Sequence, residues 1–231
     1  MNTQWISALA LIGFIAAPAV ATTVTDNAPS FQDEKKQDGD KKQRDAKDKK
    51  AKAFAVGSTV PETIKLTDFE GKTVSFKDLR DKVVILHFWS DRCPAERHAN
   101  PIFMEMEKTY AKSKDVVMIG IASNQNELGA KPGEGDKSAD FYKDLRKKRD
   151  KVGYKHTILA DHGNVVSKAF GARTTPHCYV IDKKGVVQYV GALDNDPRGK
   201  KGKEATNYLV DATTAILAGK KPTVASTKPY G

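Results

Sequence analysis

The chain has 231 residues, 39 Lys and Arg against 29 Asp and Glu, a formal net charge of +10 and two cysteines. A chain of this length can bury a core without covalent staples, and two cysteines exclude a disulfide scaffold, leaving one bridge or two separate thiols. The positive charge suits acidic partners, nucleic acid or an anionic membrane surface, and equally simple solubility. GxGxxG and P-loop spacings are absent, so nothing indicates nucleotide binding.

Residues 1–21 read as a secretory signal peptide. Trp5 to Ala17 is an apolar run too short to span a bilayer comfortably, and Ala19-Val20-Ala21 is a small-x-small site for cleavage after Ala21. The leading MNTQ carries no Lys or Arg, so an uncleaved amphiphilic anchor is the alternative. Export places the protein in the periplasm or outside the cell, an oxidising compartment, with no membrane span once the segment is removed. Residues 22–54 read as a disordered charged linker. Its stretch 33–52 holds nine basic and six acidic residues and no hydrophobe larger than alanine, too little apolar surface to offset ordering entropy. The interleaved signs argue against a docking tail.

One domain over 55–219 follows, with a tail over 220–231. Val60-Pro61 and Ile64 to Leu66 suggest an edge strand, followed by the turn DFEGK and Val74. Ser75 can cap a short helical turn through Leu79. Val83 to Trp89 is apolar and aromatic, interrupted only by His87, as in a strand buried on both faces. His87 reads as a satisfied core histidine rather than a base. The polar turn Ser90 to Arg92 leads into Cys93-Pro94, where proline marks the first turn of a helix. A thiol there meets free backbone N–H groups and the positive helix end, which favour a thiolate. Asp91, Arg92, Glu96, Arg97 and His98 argue for an accessible loop around it. Ile102, Phe103, Met106 and Tyr110 form a core face, and Val116 to Ala122 a second buried strand.

Residues 123–137 read as a polar, glycine-rich loop without a ligand signature. A helix over 138–152 has Ser138 as N-cap and Phe141, Leu145 and Val152 inward. Its basic cluster, Arg146 to Lys151, is a solvated face rather than a nucleic-acid surface, since no aromatics interleave for stacking. A strand over 156–159, a helix over 164–170 closed by Gly171, and a hairpin of 177–182 with 186–190 come next. The basic loop 197–203 leads to a last helix over 204–218.

Trp89, Cys93, Pro94 and Pro101, together with Thr175-Pro176 before HCYVID, resemble the thioredoxin-like superfamily. The resemblance implies an α/β thioredoxin-like fold: a central mixed β-sheet flanked by helices on both faces, with a cis-proline at Thr175-Pro176 beside the active-site cysteine. It further implies a redoxin-type thiol–disulfide oxidoreductase whose nucleophile is Cys93. Trp89, Arg92, Pro94, Thr175 and Pro176 would shape its substrate site, and a thiol or disulfide protein or a small thiol would be its partner, without cofactor or metal. Glu96 departs from the pattern, standing where the CxxC motif has its second cysteine, so the dithiol route is lost. Its charge would oppose the thiolate, whereas Arg92, Arg97 and His98 favour it. Cys178 lies two residues past Pro176 on the same strand face. It is the internal candidate for a resolving thiol, although a small core hydrophobe is the plainer reading.

The stretches GARTTPHCYVIDKKG, LDNDPRG, LAGK and TKPYG resemble a bacterial group of redoxins whose tails carry TKP-aromatic-Gly, often followed by cysteine. Here Gly231 is last, so no tail cysteine is invoked. Cys93-Pro94-Ala95-Glu96 also resembles the CPxE of peroxiredoxins, with Ser90 in place. Leu86 replaces that motif's proline, Pro176 stands where its peroxide-polarising arginine belongs, and Arg173 lies three residues early, which ranks peroxidase second. A non-catalytic peptide-binding module ranks third. Cys93 with His98 or His177 lacks zinc spacing.

Overall fold

The computed structural model describes residues 53–231. The expected signal segment 1–21 and the linker up to residue 52 lie outside the described residues. Seven strands form one mixed sheet in the order β2-β1-β5-β4-β3-β6-β7. They are β1 (Lys65–Asp68), β2 (Thr73–Ser75), β3 (Val83–Trp89), β4 (Val116–Ala122), β5 (Thr157–Ala160), β6 (His177–Ile181) and β7 (Val187–Gly191). β3, β4 and β5 run parallel, while β1, β6 and β7 join antiparallel. β2 is thus the edge, and β1, expected at the edge, is paired on both sides.

Six α-helices accompany the sheet among the described residues: α1 (Pro94–Tyr110), α2 (Gln125–Leu128), α3 (Ser138–Phe141), α4 (Lys143–Val152), α5 (Val165–Phe170) and α6 (Tyr208–Leu217). Every residue of β3 is buried. Strand alternation sends Val83, Ile85 and Trp89 to a layer with Phe103 and Met106 of α1, Leu145 of α4 and Leu209 of α6. Val84, Leu86 and Phe88 go to the opposite layer, with Phe76, Leu79 and the α5 residues Val166 and Phe170. Burial of each such side chain is worth about 2 kcal/mol, which makes β3 the strand on which both layers depend. Among the described residues no helix is long and apolar enough to cross a membrane.

Local chemistry explains where the elements stop. Ser75 and Asp78 form a reciprocal capping box on the 3-10 turn Phe76–Leu79. The helix expected over 138–152 is broken at Tyr142, whose buried ring packs 5.1 Å from Phe69 and whose hydroxyl meets His162 Nε2 at 2.8 Å. Phe141 is consequently 40% exposed rather than core. The basic face of α4 is held by ion pairs from Arg149 to Glu70 and from Lys148 to Asp91, both 2.7 Å. The last helix begins at Tyr208, not 204, because the Asn207 side chain caps Val210 N–H. Residues 220–231, set apart in the sequence, pack along β7: Val190 N–H donates to Ala225 O, and Thr227 N–H to Val190 O, both 3.1 Å.

Candidate active site

β3 and β6 are antiparallel partners, with Phe88 opposite His177. The turn after β3 and the turn before β6 therefore face each other at one sheet end. Cys93 N–H closes the first turn on Ser90 O at 3.3 Å, and Cys93 becomes the N-cap of α1 with no side chain capping the helix. Pro94 follows, lacking an N–H by nature, so the first turn needs one donor fewer satisfied. The Thr175–Pro176 bond is cis. The half-exposed Cys93 thiol donates to the Thr175 carbonyl at 2.7 Å. Beside them lies a cavity of about 250 Å³ lined in part by Ser90, Asn124, Arg173, Thr174 and Thr175.

A residue that sequence reading passed over sets the first turn. Glu127, on α2 within the segment expected to be loop, accepts from Ser90 Oγ (2.5 Å), Asp91 N–H (3.0 Å), Arg92 N–H (3.4 Å) and Asn124 Nδ2 (3.0 Å). Asn124 also caps α2. An Asn followed by Glu three residues on was the available signal.

The sequence-selected residues divide. Cys93, Thr175 and Pro176 come together, and Arg92, Pro94 and Arg97 are exposed nearby. Trp89 does not line the site: it is buried, with its ring 6.2 Å from that of Phe69 in an edge arrangement, because alternation along β3 turns it into the core. His98 turns toward the segment after β7, its Nε2 3.2 Å from Asp194 Oδ2. Tyr230 donates to the same aspartate, and the tail ends with the Gly231 backbone against Thr175, where an added Cβ would stand 2.2 Å from the Thr175 oxygen. Cys178 is fully buried and unbridged, and burial pushes its thiol up, so it has the environment of a core residue. Burial, then the Arg173 charge, pushes its neighbour His177 down to about 4.

Glu96 corrects the electrostatic expectation. It is 3% exposed, and neither carboxyl oxygen has a hydrogen-bond partner; the Ser90 amide approaches without reaching hydrogen-bond geometry. Burial, and after it the nearby Cys93, raises its pKa well above the usual range. Burial thus favours the protonated form of Glu96, one helical turn from the thiol, over a charge that would oppose the thiolate. His87, expected to be a satisfied core histidine, is satisfied on one side only. Its Nε2 meets His156 Nε2 at 2.9 Å, whereas its Nδ1 has no partner and points toward Glu96 Oε1 at 4.0 Å.

A parallel core with antiparallel flanks, helices on both faces and a helix-start cysteine beside a cis-proline define a thioredoxin-like redoxin. The model of the AhpC/TSA family matches residues 56–190, and the chain belongs to that family. It is 27% identical to the thiol-disulfide oxidoreductase ResA of Bacillus thuringiensis over 132 residues, 57% of this chain and 66% of that protein. It is 34% identical to the chloroplastic peroxiredoxin Q of Triticum aestivum over 140 residues, 57% of each chain. A solved structure of a hypothetical protein from Sinorhizobium meliloti shares the fold at TM-score 0.62 and 23% identity, covering 77% of this chain and 94% of its own.

Proposed function

We propose that the protein catalyses thiol–disulfide exchange through Cys93. The observation that carries this reading is the half-exposed thiol at the uncapped start of α1, held against the Thr175 carbonyl beside Pro176. The thiolate form of Cys93 attacks one sulfur of a substrate disulfide, and the other sulfur leaves with the bonding electron pair. The backbone at Thr175 offers the polar edge on which a bound thiol compound is oriented. With glutamate at the second motif position and Cys178 in the core, the mixed disulfide is resolved by an outside thiol. Thiol or disulfide proteins and small thiols are the substrate class. Export with cleavage after Ala21 belongs to the same reading, and N-terminal sequencing of protein recovered outside the cytosol checks it.

A second reading, peroxide reduction, draws on Arg173, which lines the cavity beside Cys93 and supplies a cation there. Rates of disulfide exchange and peroxide consumption for wild type, Cys93→Ser and Cys178→Ser separate the two. Cys93→Ser is expected to lower exchange by about 10³-fold or more, with Cys178→Ser close to wild type. Peroxide turnover that exceeds exchange and vanishes in Cys93→Ser would promote the peroxidase. Wild type as inert as Cys93→Ser with both substrates would leave a binding module.

A further inference from the structure

The tail is set in place by a chain of contacts that leads to the reactive thiol. Ser226 lies beside Val190 in a parallel bridge, closed by the backbone bonds from Val190 to Ala225 and from Thr227 to Val190. Thr227 Oγ1 accepts from Ala192 N–H at 2.9 Å. The Tyr189 hydroxyl donates to Ala192 O at 2.6 Å, so in its 2.8 Å bond with Thr227 it is the acceptor, and Thr227 uses its hydroxyl both ways. The tail crosses β7 so closely that a Cβ at Gly191 would stand 2.2 Å from Thr227 Oγ1 and 2.6 Å from Thr227 O. Further on, Tyr230 donates to Asp194 Oδ1. Asp194 is 2% exposed, accepts also from Asp196 N–H at 2.8 Å, and has its other oxygen 3.2 Å from His98 Nε2 on α1. A buried carboxylate needs such partners, and here they include the tail and the helix that begins at Cys93. Gly231 then lies over Thr175: a Cβ there would stand 2.2 Å from the Thr175 oxygen and 3.1 Å from its nitrogen. The Thr175 carbonyl is the one that accepts from Cys93, and Cys93 stays half-exposed with the tail in place.

We propose that residues 228–231 hold the place of a substrate strand on the Thr175–Pro176 backbone, so that the exchange reaction proposed above, on which this inference rests, accepts small disulfides and excludes polypeptide ones. Tyr230 and Asp194 are positioning residues for this specificity, acting through the path of the tail. An extended polypeptide that docks by main-chain bonds needs the Thr175 edge free, and Gly231 occupies it. A small disulfide needs only the half-exposed sulfur. The chemistry is that of the exchange: the Cys93 thiolate attacks RSSR′, the Cys93–S–S–R bond forms as the substrate's S–S bond breaks, and R′S⁻ leaves with the electron pair. The tail decides which R can stand beside the sulfur. Glycine at 231 belongs to the same fit, since a side chain on this path would drive the tail off Thr175. A polypeptide enters only in the fraction of molecules whose tail has lifted, and its apparent rate falls by that fraction.

The test deletes residues 228–231, which leaves Thr227 and its bonds to β7 in place, and reads single-turnover formation of the Cys93 mixed disulfide by mass. Two substrates are compared: hydroxyethyl disulfide, and an uncharged, unstructured peptide joined to its copy by one disulfide. Each rate is taken relative to that of free mercaptoethanol with the same disulfide. Wild type is expected to react with the peptide at least about 10-fold more slowly than with the small disulfide. The deletion should raise the peptide rate about 10-fold while the small-disulfide rate stays within about 2-fold. Tyr230→Phe keeps the length of the tail and removes only its bond to Asp194, and should raise the peptide rate alone by about 3-fold. It is read in place of the deletion if the deletion does not fold. Equal wild-type rates with the two disulfides, an unchanged ratio in the variants, or an equal rise in both rates overturns the specificity and leaves the exchange reaction standing. Wild type that iodoacetamide alkylates at Cys93 yet that exchanges with neither disulfide overturns the proposed function, and the specificity with it.

Discussion

Two helices of this protein begin beside a buried carboxyl, and the two beginnings are built in opposite ways. At the start of α5, Asp161 accepts from Val166 N–H (2.9 Å), Ser167 N–H (2.8 Å) and Ser123 Oγ (2.9 Å). Two of the helix's first backbone donors are taken up by a buried acid. At the start of α1, no side chain caps the turn, and Glu96 inside it has no partner. The difference separates an acid used for architecture from one placed at the cost of stability. Buried polar groups are satisfied unless something other than folding retains them, so the unsatisfied one marks the working end.

Three substitutions sharpen or break this contrast. The largest effect is expected at Asp161. Asp161→Ala strands two backbone donors and a hydroxyl, and should lower the unfolding free energy by about 3–5 kcal/mol in urea titrations. A loss below about 1 kcal/mol would show that Asp161 is not the cap the geometry describes.

Glu127→Ala comes next. It removes three hydrogen bonds from the turn 90–92 and a fourth from Asn124, but the site is partly solvated and water replaces some of them. A loss of about 2 kcal/mol is expected, with slower exchange at Cys93 as the turn loosens. Unchanged stability and exchange would remove Glu127 from the site's framework.

The smallest stability change belongs to Glu96. Glu96→Leu exchanges a partnerless acid for an apolar group of similar size, and should lie within about 1 kcal/mol of wild type at pH 5, or above it. The comparison is pH-dependent, with a definite sign. The folded pKa of Glu96 is raised above the ordinary 4.5, so the folded state holds a proton that the unfolded chain gives up. Wild type therefore loses stability relative to Glu96→Leu as pH rises from about 4.5 toward the folded pKa, and not below that range. A difference that stays flat across that window would mean Glu96 is ionised in the folded protein.

The fold was legible because β3, Cys93 and Thr175-Pro176 carry local patterns: an apolar run, a proline at a helix start, a dipeptide before a strand. The candidate site was less so. Glu96 was grouped with the exposed polar residues around Cys93, although the spacing that turns Phe103 inward, run back four and seven positions, lands on Ala99 and Glu96. Trp89 was placed by motif rather than by alternation, which sends it into the core. The Asn124-x-x-Glu127 spacing marks a helix start, but that this helix reaches the turn after β3 leaves no trace in spacing. Tyr142 broke a helix that composition alone would have continued, since the ring's packing on Phe69 outweighs helix propensity.

The path of the tail has a practical consequence for handling the protein. Residues 225–227 are fastened to β7, and the chain then runs to Gly231 against the backbone of Thr175, whose carbonyl holds the Cys93 thiol. An affinity tag or fluorescent reporter joined after Gly231 would begin at the mouth of the reactive sulfur. Preparations carrying such an extension should exchange disulfides more slowly than the same protein after the extension is clipped off. If clipping changes nothing, the route to the sulfur lies on the cavity side, past Ser90 and Arg173, and the tail merely closes the opposite wall.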